Sequence, residues 1–116
     1  MILLGNNTEH GFKLEAVSEG KPVGKYELSF DKSGNISHGF INSRISDKHI
    51  PRNLICAAGD KIQDIANKEC KKIKHDEYLV TDDSKKLSCI FEKLGYEKRI
   101  YPECIVVSRT YQPEIY

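Results

Sequence analysis

Tryptophan is absent from this chain, and no apolar run approaches the roughly 20 residues that a membrane-spanning helix needs. The run Ile2-Leu3-Leu4 is also too short for the core of a secretory signal, so a cytoplasmic protein with no membrane role is expected. An excess of either charge is missing as well. Eighteen basic residues stand against 17 acidic ones, and the formal net charge is +1. Nothing in that balance points to nucleic acid or an anionic membrane. The nearest basic cluster, Lys68-Glu69-Cys70-Lys71-Lys72-Ile73-Lys74, falls at an expected helix end, where cations suit the helix dipole. Four cysteines, Cys56, Cys70, Cys89 and Cys104, are far apart. None forms a C-x-x-C pair or a Cys/His cluster with metal spacing, so reduced thiols and no metal are expected. Repeats, low-complexity tracts and linkers are missing too. The 116 residues read as one domain, 1–116, long enough to bury its own core.

What is present is organised around one unit. Asp82-Asp83-Ser84 offers N-cap residues for a helix that runs to Leu94. Gly95 follows, free to take the left-handed backbone that stops a helix, and Tyr96 opens a strand. Before the helix, Tyr78-Leu79-Val80-Thr81 reads as a short buried strand. Upstream, Met1 to Leu4 reads as a short edge strand and Gly5 to Gly11 as a loop. Phe12, Leu14 and Ala16 alternate with Lys13 and Glu15, and Tyr26, Leu28 and Phe30 alternate in the next run. The turn Gly20-Lys21-Pro22-Val23-Gly24 between them makes a hairpin. Ile36 to Ile45 is a third strand, in which Gly39 suggests a bulge or a close backbone approach.

After Ser46 the period lengthens. Leu54, Ile55, Ala58, Ile62, Ile65, Ala66, Cys70 and Ile73 recur every three or four residues, one face of a long helix. Pro51 suits its first turn, and Gly59 inside it suggests close packing. Two strands close the chain, Tyr96 to Tyr101 and Cys104 to Thr110. A strand-helix-strand connection of this length implies a right-handed parallel crossover, hence a mixed α/β sheet with helices packed on it.

This order, with Ile90-Phe91-Glu92-Lys93-Leu94-Gly95-Tyr96 closing the second helix, resembles the GNAT superfamily of acyl-CoA-dependent acetyltransferases from about Phe12 to Thr110. The stretch before the hairpin is shorter than the first strand and two helices usual there. The resemblance implies that acetyl-CoA or another acyl-CoA lies between the third strand and the strand after the long helix. Backbone of Ile41, Asn42 and Ser43 would take its pantetheine arm. The loop before the long helix would hold the pyrophosphate. The family pattern there, Arg or Gln, two residues, Gly, one residue, Gly or Ala, falls on Ser46-Asp47-Lys48-His49-Ile50-Pro51. His49 and Pro51 replace both glycines, and Asp47 adds a negative charge. Lys48, His49, Ile50, Arg52 and Asn53 are then the phosphate-side contacts, with Lys48, His49 and Arg52 acting through side chains. Ser84 stands where the family has a cofactor-contacting asparagine. Phe91 stands where it has the tyrosine that protonates the leaving thiolate, and a phenyl ring has no proton to give.

An amine acceptor must lose a proton before it attacks a thioester. His38 and Asn42 on the third strand, and Asp82 or Asp83 after the next, are the groups placed for that role. His38 and Asp82 head the list. The bland readings stand beside them: an exposed strand residue for His38, helix caps for the aspartates. His10 and His75 read as surface loop residues, and Tyr78, Tyr101 and Tyr111 as sheet or rim aromatics. Three functions fit: a small N-acyltransferase with an amine acceptor, a GNAT-like fold without turnover that binds a protein partner, and an unrelated small α/β domain. A homodimer through the last strand, Cys104 to Thr110, is an opportunity that any exposed edge offers.

Overall fold

A computed structural model describes residues 2–37, 39–43, 49–80 and 83–114. His38, Lys48, Asp82, Asp47 and the end of the expected third strand lie outside the described residues. Seven strands and two helices follow one another: β1 (Ile2–Asn7), β2 (Gly11–Ser18), β3 (Lys21–Ser29), β4 (Gly39–Ser43), α1 (His49–Glu69), β5 (Ile73–Leu79), α2 (Ser84–Lys93), β6 (Glu97–Ile100) and β7 (Ile105–Tyr111). They form a compact α+β fold with two antiparallel sheets, ordered β1-β2-β3-β4 and β5-β7-β6.

The expected meander is present, with shifted boundaries. β1 runs on to Asn7 and pairs with β2 from Ile2↔Val17 to Asn7↔Phe12, so the loop shrinks to Thr8–His10. The next turn shrinks to Glu19-Gly20, and Lys21 to Gly24 join the ladder, with an irregularity at Ala16/Val17. β4 pairs with β3, from Gly24↔Ser43 to Leu28↔Gly39.

The expected mixed sheet is corrected to two antiparallel ones. β5 and β6 run in the same direction, but β7 inserts between them and pairs antiparallel with both. Among the described residues a parallel contact survives only as the isolated bridge Ile36↔His75, where Ile36 N–H donates to the Lys74 carbonyl and Asp76 N–H to the Ile36 carbonyl, each at 2.9 Å. That bridge ties the two sheets together. β7 is therefore an inner strand and offers no edge for a dimer.

Two further boundaries move. The long helix stops at Glu69 rather than running to Ile73. Cys70 takes a left-handed φ of 51°, and Lys71 N–H returns to the Ala66 carbonyl at 3.2 Å. Ile73 instead begins β5, five residues before the expected Tyr78. Its inward face is Ile73, His75, Glu77 and Leu79. Two of those four are polar, so the alternation reads as surface. Tyr78 and Val80, expected in a buried strand, are exposed.

The end of α2 follows the expectation closely. Gly95 has φ +89°, Gly95 N–H donates to the Glu92 carbonyl and Tyr96 N–H to the Phe91 carbonyl. This is a Schellman stop, and its hydrophobic contact is the Phe91–Tyr96 ring pair at 5.0 Å.

Both helices pack on one side. Leu54, Ile55, Ala58, Ile62 and Ala66 of α1 and Leu87 and Phe91 of α2 join Phe12, Leu14, Tyr26, Leu28, Ile73 and Val107 in one core that spans both sheets. Gly59 shows why α1 carries a glycine: a Cβ there would stand 3.0 Å from the Tyr111 hydroxyl. Among the described residues no helix is long and apolar enough to cross a membrane.

Candidate functional site

The core holds a polar chain where β4 leaves β5. Burial of polar groups is tolerated only when each finds a partner, and here they do. The Glu77 carboxylate, on β5, is held by Tyr26, His75 and Gly39 among the described residues. The Tyr26 hydroxyl gives its proton to Oε1 at 2.6 Å, His75 Nε2 lies 2.8 Å from Oε1, and Gly39 N–H donates to Oε2 at 2.9 Å. His75 Nδ1 shares a 2.6 Å bond with the Tyr96 hydroxyl, which lies 2.7 Å from the Tyr111 hydroxyl. Phe91 closes the group with its ring edge-on to His75 and to Tyr96. Arg109 ends the chain, 4.4 Å above the Tyr111 ring, and its guanidinium donates to the Leu94 carbonyl.

Electrostatics follow from that geometry. Burial pushes the Glu77 carboxyl up, but the hydrogen bond and charge of His75, the Tyr26 hydroxyl and the Gly39 N–H outweigh it. The net shift is below the ordinary carboxylate value. Burial and the neighbouring Glu77 push the Tyr26 phenol well up. Tyr96 rises through burial and through Tyr111, and Tyr111 rises mainly through burial. His75 and Glu77 have the residue types of an acid–base pair, yet both are shut away from solvent. Their work is to join β4 to β5. Glu77 supplies, from its side chain, the acceptor that a neighbouring backbone carbonyl would supply in a continuous sheet. Past this point, among the described residues, β4 pairs only with β3.

The second feature is a groove between α1 and α2. Two adjoining hollows of about 260 and 250 Å³ share Arg52, Ile90 and Lys93. Pro51, Leu87 and Leu94 extend the apolar floor, and Lys86 adds a third cation. Among the described residues no carboxylate lines either hollow. The cysteines stand at its walls: Cys89 on α2 and Cys56 on α1, the latter with its thiol pushed up by burial and by nearby Asp60 against the pull of Arg52. Three cations over an apolar floor suit a ligand with phosphate groups and an apolar body.

The residues singled out from sequence are spread over both features. Arg52 is exposed and lines the groove. His49 is the exposed first residue of α1, Ile50 is buried beneath it and Asn53 is half-buried. Ile41 is half-buried on β4 opposite Tyr26, and Asn42 and Ser43 pair with Lys25 and Gly24. Ser84 is the buried first residue of α2. Phe91 lies in the core against His75 and Tyr96, not among the groove residues. Of the proton-transfer candidates, Asp83 is half-buried at the head of α2 without a side-chain cap bond.

Two readings need correction. His75 is not a surface loop residue but fully buried on β5, and Tyr111 is a core residue, not a rim aromatic. Reasoning from sequence also missed Lys86 and Lys93. A signal for them existed: Lys86, Cys89, Ile90 and Lys93 recur at helical spacing and share one face of α2.

On the opposite face of the second sheet lies an open concavity of about 1000 Å³, where Lys74 and Arg99 mix with Asp76, Glu97, Tyr78 and Tyr101. Asp76 Oδ1 there is a buried oxygen without a hydrogen-bond partner, the only such side-chain atom among the described residues. Compared with known proteins, the chain matches no family model and no curated protein.

Proposed function

We propose that this chain is a small N-acyltransferase of GNAT-like architecture that takes an acyl group from acyl-CoA to an amine. The observation that carries the reading is the groove beside the start of α1, whose described charged residues are the cations Arg52, Lys86 and Lys93. A phosphate-rich cofactor needs such a place, and the first turn of a helix adds partial positive charge. Strand order supports it: a meander, a long helix, then β5 and β6 with β7 inserted between them. So does the parting of β4 from β5 beyond the Ile36–His75 bridge, which among the described residues leaves β4 paired on one side only. The direct connection from β1 to β2 through Thr8–His10 departs from the family, which has helices there.

In this mechanism the acyl-CoA phosphates rest on the three cations and the pantetheine arm follows β4 toward the gap. N–H groups of β4 that turn away from β3 polarise the thioester carbonyl. The amine attacks from the opposite face, whose concavity carries the unsatisfied Asp76 oxygen and Glu97. Transfer would break the thioester C–S bond as the amide C–N bond forms, and the proton lost by the amine nitrogen would go to the CoA sulfur.

A second reading is a binding module of the same fold that holds the cofactor, or a protein partner, without turnover. The enclosed His75–Glu77 pair and Phe91 favour it, since neither offers a proton to a bound substrate. Calorimetric titration with acetyl-CoA and with CoA decides the first step. Micromolar binding that weakens in Lys86→Ala and Lys93→Ala supports the groove. No binding at millimolar ligand ends the acyltransferase reading. Binding without product from a panel of amines favours the module.

A further inference from the structure

Of the four edge strands among the described residues, β4 and β5 lie toward each other at the Ile36–His75 bridge, and β1 and β6 are the outer ones. An edge strand presents unpaired N–H and C=O groups, and a monomer normally guards it. β6 is guarded: it is four residues long, and Glu97, Lys98 and Arg99 are three of them. β1 is not. All six of its residues are exposed, none is charged and none is proline. Ile2, Leu3 and Leu4 are 64%, 38% and 48% exposed. Its ladder to β2 runs without a bulge from Ile2 to Asn7, so the free edge is regular along its length.

We infer that β1 pairs antiparallel with β1 of a second copy, about a two-fold axis perpendicular to the sheet. Such an axis keeps the helix-bearing face on the same side in both copies, so each residue meets one of its own face. Leu3 stands opposite core-facing Ala16, while Ile2 and Leu4 stand opposite Val17 and Glu15 on the other face. With Leu3 on the axis, Leu3 meets Leu3 of the partner on one face. On the other face, Ile2 meets Leu4 of the partner and Leu4 meets Ile2. Every central cross-strand pair is then apolar.

The occupant follows from charge. Identical strands usually conflict where like charges meet, and β1 has no charge to conflict. The net charge of +1 leaves two copies with almost no long-range repulsion. A foreign strand would find no charged residue on β1 to select it. The product is one continuous eight-stranded sheet, four strands from each copy, with α1 of both on the same side. The apolar stretch Ile2–Leu4 of each edge is covered in a closed pair, while Asn6 and Asn7 stay outside the new ladder.

Sedimentation velocity on the reduced full chain, from low micromolar to several hundred micromolar, tests this. A dimer that dissociates on dilution is expected. Leu3→Lys places two cations on the axis and should weaken association at least tenfold. Ile100→Lys at the β6 edge should leave it unchanged, and circular dichroism checks the fold of both. Mild oxidation of Leu3→Cys should give a crosslink between the two introduced thiols, found by peptide mass mapping. Asn7→Cys, away from the axis, should give none. A monomer at the highest concentration, a dimer indifferent to Leu3→Lys, or assembly beyond two copies overturns the inference.

Discussion

Glu77 reaches across from β5 to accept the amide hydrogen of Gly39 on β4, and Gly39 has no room for one more carbon. A Cβ there would collide with Glu77 Oε1 and stand 2.7 Å from the Tyr26 ring. The carboxylate and the bare backbone are a matched pair. One supplies the acceptor that the parting strands lack, and the other makes room for it.

Gly39→Ala should therefore destabilise the protein by about 2–3 kcal/mol, the scale of overpacking a closed core with some loss of a buried hydrogen bond. Urea denaturation measures it. A cost below about 0.5 kcal/mol, the range of an ordinary surface change, would show that Glu77 and Tyr26 move aside freely and that the contact is not tight.

Stability should fall on acidification. The folded Glu77 carboxyl titrates below its ordinary value of 4.5. The unfolded chain therefore takes up this proton first as pH drops. The stabilisation is fully present above the unfolded value and is lost as pH falls through the folded one. Glu77→Gln should be less stable at neutral pH by about 1–3 kcal/mol, because an amide hydrogen faces donors that expect an acceptor. Its stability should also change less than that of the wild type as pH drops below 4.5. Parallel acid limbs for the two proteins would place the titration elsewhere.

The phenols give the alkaline limit. Tyr26 and Tyr96 titrate above their ordinary value of 10.0 in the folded chain. Their contribution is complete below that value and is lost as pH rises beyond it, when the unfolded chain ionises first. Tyr26→Phe should flatten the alkaline limb in the same denaturation series. It should also cost stability at neutral pH, since Glu77 loses a donor.

The two helix ends should respond oppositely to substitution. Gly95 has φ +89°, so Gly95→Ala should cost about 1–2 kcal/mol in left-handed strain. Cys70 holds φ 51° without being glycine. Cys70→Gly relieves about 1–2 kcal/mol of strain and adds about 0.4–1 kcal/mol of unfolded-state entropy. A net gain of about 0.5–1 kcal/mol is expected from that difference. Thermal unfolding of the two variants reads both signs, and a loss for Cys70→Gly would mean that the cysteine side chain itself holds the turn.

Cofactor binding, if the groove takes it, should weaken as salt rises, because three exposed or half-exposed cations are screened together. Arg52→Ala should cost about 1–3 kcal/mol in affinity, the scale of a charge-assisted hydrogen bond. Affinity indifferent to salt and to Arg52 would move the phosphates off this groove.

By itself the sequence determined the elements whose signals are local. The Phe12 and Tyr26 alternations, the α1 stripe from Leu54 to Ala66 and the Gly95 stop each depend on neighbours within a few residues, and each lies where expected. The glycines at 39 and 59 were legible as close approaches, though not what approached them. Tertiary structure alone decided the rest. β7 slid between β5 and β6, because the order of strands in a sheet depends on which edges meet after the helices pack, not on the period of any one strand. The α1 boundary was decided by Cys70 in a left-handed turn, a conformation that residue does not announce. The core at His75 and Glu77 was hidden for a physical reason. A buried polar group is stable only with partners, and those partners, Tyr26, Gly39 and Tyr96, lie 21 to 51 residues away in the chain. Read alone, two such residues on a strand look like surface. Only the fold brings them the hydrogen bonds that permit burial.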